Sequence, residues 1–78
     1  MKIENFIKEL TSVLELDYGA IKDENSMLKG LYSSLGVLSI IAFCDRFFST
    51  ELTSAQLKSI TTVKSLMEII GIEKFEIN

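Results

Sequence analysis

At 78 residues, 47% hydrophobic and with a net charge of −3, the chain has room for one small packed domain without the help of disulfides, since it holds a single cysteine. With no histidine and a single cysteine, zinc and iron–sulfur ligand sets are missing, as are Ser-His-Asp and Cys-His catalysis. No Lys/Arg cluster favours nucleic acid, no apolar run nears the ~18 residues of a stable membrane span, and the scattered acids form no metal-binding loop.

Ile3, Phe6, Ile7, Leu10, Val13 and Leu14 recur at spacings of three and four. They predict an amphipathic helix over about residues 2–16, ended by the turn Asp17-Tyr18-Gly19. Residues 19–33 read as a long connection, polar at Lys22–Ser26 but carrying Ile21, Met27, Leu28 and Leu31. Such a loop should pack over the bundle instead of dangling. A second helix is expected from Ser33 or Ser34 to about Phe48, apolar almost all round and so central to the domain or shown to a partner. Cys44 lies in its apolar band and reads as a small core residue.

Thr53-Ser54-Ala55-Gln56 has the form of a capping box and opens a short helix to about Ser59. Thr61 or Thr62 can cap a fourth helix, with Val63, Leu66, Met67 and Ile70 on its apolar face, Gly71 as its stop and Ile72 packed behind. The domain is expected over 1–72. Residues 73–78 read as a C-terminal tail in which Phe75 and Ile77 alternate with charges, giving an extra turn, an edge strand or no fixed structure. The fold class is therefore all-α, a small four-helix bundle with a long first loop and a short third helix. A free cysteine and the lack of a leader segment fit a reducing cytoplasm, and a monomer is expected.

The stretch Gly30-Leu31-Tyr32-Ser33-Ser34-Leu35-Gly36 sets two serines at the head of the second helix. Backbone N–H groups there are unpaired and the helix dipole is positive, so the position favours an anion or a phosphate ester. A serine there also serves simply as an N-cap. Position alone leaves both readings open. With no base to activate either hydroxyl, neither serine is a catalytic nucleophile; the chain binds or carries something and is not expected to be an enzyme.

The order of elements, with a serine at the head of the second helix, resembles the acyl carrier protein family over residues 3–71. Ser34-Leu35 matches the Ser-Leu of the family's Asp-Ser-Leu motif, and Phe48 falls where the family's helix ends in phenylalanine. Glu51-Leu52 and Ile60-Thr61-Thr62-Val63 look like its later segments. The local pattern looks closest to stand-alone carriers outside central fatty acid synthesis, among them D-alanyl carriers and carriers served by adenylating enzymes. The resemblance implies a bundle of acyl-carrier type, with Ser34 as the attachment residue for phosphopantetheine delivered from coenzyme A. Its partners would be a phosphopantetheinyl transferase and an acyl- or aminoacyl-activating enzyme, acyltransferase or synthase. Ser33, Leu35, Val37, Leu38 and Ala42 are then candidates for partner docking. Ile40, Ile41, Cys44 and Phe48 are candidates for the core or for sheltering an acyl chain.

Two departures stand beside the resemblance. Ser33 occupies the place of the family's aspartate, and Ser39 and Arg46 stand where acids are common, so docking by a basic partner should weaken. An unmodified carrier-like interaction module is the alternative implied. A third reading, an unrelated helical domain dimerising through Phe43 and Phe47, also fits the apolar second helix.

Overall fold

A computed structural model describes residues 1–76. Its elements in chain order are α1 (Ile3–Val13), α2 (Ser34–Phe48), α3 (Ser54–Lys58), α4 (Val63–Ile70) and a single 3-10 turn, Ile72–Lys74. The architecture is a small, mostly helical bundle, as the sequence predicts at the level of class. Phe6 and Leu10 of α1, Ile40, Phe43 and Cys44 of α2, Leu57 of α3 and Leu66, Met67 and Ile70 of α4 meet in one buried core. The apolar face predicted for α1 is the one it buries.

α1 ends at Val13, three residues before the predicted end. Leu14 closes it, Glu15 takes a left-handed φ of 54°, and Glu15 and Leu16 donate their N–H groups back to the carbonyls of Ser12 and Thr11. This is a Schellman stop with glutamate where glycine is usual, so the turn at Asp17-Tyr18-Gly19 comes after the helix has already ended. α2 also ends at a left-handed residue, Ser49 at φ 53°, whose N–H is donated to the Asp45 carbonyl.

The long connection is packed, as expected. Leu28 and Ile21 are buried, and the segment is tied to the head of α4. Val63 and Lys64 donate to the carbonyls of Ser26 and Glu24, while Leu28 and Lys29 both donate to the Thr61 carbonyl. Thr62, not Thr61, caps α4, in a capping box with Ser65. The head of that helix is thus saturated by loop carbonyls and its own cap. The Thr53–Gln56 capping box on α3 forms as the sequence predicts.

The segment set apart as a tail packs into the body as far as it is described. Phe75 is buried against Phe6 and Phe48, with ring centroids 4.8 and 5.2 Å away. Ile72, expected behind Gly71, is instead 45% exposed, because the 3-10 turn swings the chain round and inserts Phe75. Met1 and Ile3 donate to the carbonyls of Lys74 and Glu76, and Glu76 donates to the Met1 carbonyl, in a short parallel pairing of the two ends. Lys74 Nζ donates to the Phe48 carbonyl and to Thr50 Oγ1, placing a cation at the C-terminus of α2, where the helix dipole favours it. Ile77 lies outside the described residues.

Candidate functional site

The head of α2 is built by three local features. Gly30 takes a φ of 91° that turns the chain toward the helix, a conformation glycine adopts without steric cost. Gly36 lets the incoming segment lie against the helix: a Cβ there would stand 2.6 Å from Tyr32 Cβ and 3.2 Å from a methyl of Leu14. Tyr32 is held half-buried in that contact, and burial raises its phenol pKa. A glycine inside an apolar helical run is the sequence signal that marks such a close approach.

Ser33 stands at the N-cap with extended backbone, but its side chain makes no capping hydrogen bond. That differs from the capping role open to it from sequence. The Ser34 hydroxyl, on the first helical residue, likewise has no hydrogen-bond partner among the described residues, and both serines are exposed. The N–H groups of Ser34, Leu35 and Gly36 have no intrahelical acceptor, as the first N–H groups of any helix lack one. Among the described residues nothing else takes them. The contrast with α4 is direct. One helix head is closed by loop and cap, and the other faces solvent with its donors free.

Around Ser34 the structure brings together four of the five docking candidates on open surface. Leu35 is 76% and Leu38 62% exposed, and Ser33 and Ala42 are exposed beside them. Val37 departs from that expectation. It lies half-buried on the opposite side of α2, packed against the core, because it falls on the face that α2 turns inward. Of the core candidates, Ile40 and Cys44 have no exposed surface, while Ile41 and Phe48 are partly buried against the same cluster. Burial pushes the Cys44 thiol up to about 11, which keeps it protonated and unreactive at neutral pH. Phe43 is buried and only Phe47, 46% exposed, remains on the surface; a dimer joined by both rings is not available to this fold.

Shallow grooves flank α2, one of them between Val13 and Ser39, Ala42, Phe43, Arg46 and Phe47. Another, of about 370 Å³, runs from Leu14 and Leu16 past Tyr32 to Ser33 and Leu35. A further one, of about 360 Å³, lies between Leu38, Ile41, Ala42 and Asp45 and the chain at Glu51-Leu52. A larger groove of about 410 Å³, between α1 and Tyr18–Lys22, contains no residue from the head of α2.

Comparison of the chain with protein-family models, curated proteins and solved structures gave no match. The chemistry of the site therefore rests on its own geometry. The Ser34 hydroxyl is exposed, and among the described residues it has no hydrogen-bond partner. Free helix-head N–H groups favour an anion beside them. The apolar surface of Leu35, Leu38 and Ala42 can meet a partner's apolar patch without first breaking any hydrogen bond. Among the described residues no three His, Cys, Asp or Glu side chains group into a metal site, and no helix is long and apolar enough to cross a membrane.

Proposed function

We propose that the chain is an acyl carrier protein that bears a phosphopantetheine arm on Ser34. The observation that carries this reading is the state of the Ser34 hydroxyl. It is exposed and, among the described residues, free of hydrogen bonds, on the first residue of a 15-residue helix whose leading N–H groups have no acceptor among those residues. A phosphodiester there would accept from the N–H groups of Leu35 and Gly36 and gain about 0.3–1 kcal/mol from the helix dipole. The arm, when bound, supplies a terminal thiol that holds an acyl or aminoacyl group as a thioester. The chain's own part is to tether it, raise its effective concentration at each partner's active site and offer Leu35, Leu38 and Ala42 for brief docking. The sequence of long helix, long packed loop, central helix, five-residue helix and closing helix supports a bundle of acyl-carrier type. The transferase supplies the attachment chemistry, and a cytoplasmic setting belongs to the same reading.

Intact mass after incubation with coenzyme A and a permissive phosphopantetheinyl transferase tests it. One phosphopantetheine increment is expected in the native chain and in Ser33→Ala, and none in Ser34→Ala. No increment with several transferases, the native one included, would overturn the reading. A second reading, a carrier-like module that docks without modification, is favoured by Ser33 in the acid's place and by the exposed face of α2, where Asp45 is offset by Arg46. If Ser33→Asp gains an increment that the native chain lacks, the missing acid is what blocks modification.

A further inference from the structure

The groove between Val13 of α1 and one face of α2 has apolar walls and is charged at a single point. Phe43 and Phe47 stand in it as tilted rings with centroids 4.9 Å apart, the first buried and the second half exposed. An aromatic wall is thus presented to solvent. Ser39 adds little polarity, because its hydroxyl is already donated to the Leu35 carbonyl. The volume, about 350 Å³, falls within the range of small-molecule sites.

Among the described residues, Arg46 is the only charged side chain in that lining. Its guanidinium carbon lies 5.7 Å from the centre of the Phe47 ring. A contact of this kind needs none of the N–H donors, so the planar fork is held beside the aromatic wall and left open to a carboxylate. Asp45, the preceding residue, lines a different groove together with Glu51. On this side of α2 the lining acid is Glu15, in the adjoining groove at the helix head with Ser33, Leu35 and Gly36. Gly36 and Arg46 are ten residues apart, about 15 Å along the helix. A carboxylate is therefore drawn to the Arg46 end and kept from the other. The larger groove beside α1 lacks this polarity, since its lining mixes Glu4 with Lys8 and Lys22.

We propose that this groove binds a small planar aromatic carboxylate, with its ring against Phe43 and Phe47 and its carboxylate on the Arg46 guanidinium. The aromatic wall selects the ring, and the charge-assisted, two-pronged hydrogen bond selects the carboxylate. The site goes beyond the carrier reading and needs neither Ser34 nor any group attached to it. The groove is shallow, so binding is weak, with a dissociation constant of about 1 mM for a two-ring ligand.

Amide NMR spectra of the full, unmodified chain titrated with 2-naphthoate to about 10 mM, well past the expected constant, should show saturable shifts centred on Val13, Ser39, Ala42, Arg46 and Phe47. The neutral 2-naphthamide and the cationic 2-naphthylmethylammonium should bind about fivefold more weakly. Arg46→Gln should weaken naphthoate by about the same factor and erase its advantage over the amide. Ala42→Phe, which fills the groove without altering charge, should weaken all three probes, and Lys8→Gln should weaken none; thermal melts confirm that the variants are folded. No saturable shift overturns the proposal. So do shifts centred on Ile7, Lys8 and Ile21, or a naphthoate affinity that Arg46→Gln leaves intact. Every readout is taken without a group on Ser34, so this site and the carrier reading fail separately.

Discussion

Cys44 and Ser34 lie on one helix, and their surroundings give them opposite chemistry. The thiol is sealed in the core and its pKa is raised from 9.0 to about 11, whereas the hydroxyl stands in solvent without a partner. The shift has a sign that can be read in stability. The unfolded chain releases the proton near 9 and the folded chain keeps it to about 11. Stability is therefore unaffected by this group at lower pH and falls as pH rises between those values, by about 2–3 kcal/mol in all. Urea unfolding followed across that interval should show a steeper alkaline loss in the native chain than in Cys44→Ala. At this scale the sequence was informative about burial and less so about hydrogen bonds. An apolar helical band places Cys44 and Ile40 inside and Leu35 and Leu38 outside once the inward face is known. It says nothing of the side-chain rotation that leaves Ser33 without a capping bond.

Helix heads differ in how they are closed, and that difference is measurable. Thr62→Ala removes the oxygen that accepts from the Ser65 N–H and should cost about 1 kcal/mol, whereas Ser33→Ala deletes no cap and should cost under about 0.3 kcal/mol. Equal losses in chemical denaturation would mean that Ser33 caps α2 in solution after all. The existence and order of the elements were legible from periodicity because each helix buries a single stripe. Their ends were less so. The end of α1 was placed too late because the left-handed position that stops it holds Glu15, and Ser49 plays the same part after α2. Glycine advertises such a position, while a charged or hydroxyl residue does not. The Thr53–Gln56 box was legible because both halves of it are local.

Whole-molecule cohesion depends on residues that looked peripheral. Phe75, from the supposed tail, joins Phe6, Phe43 and Phe48 in a cluster of edge and tilted ring contacts at centroid distances of 4.8–6.1 Å. Phe75→Ala should cost about 3–5 kcal/mol, a large fraction of what so small a domain has, and its thermal midpoint should fall accordingly. A change of under 1 kcal/mol would show that the segment after Gly71 is only laid on the surface. Alternation of Phe75 and Ile77 with charges could not reveal this placement, because the cluster exists only when both chain ends meet. That meeting has a mechanical consequence. The paired ends run parallel, so tension applied between them pulls along the pairing and not across it. The bonds from Met1 to Lys74, Glu76 to Met1 and Ile3 to Glu76 are then loaded in shear and share the force. They must give way together, unlike the teeth of a zipper opened from one end.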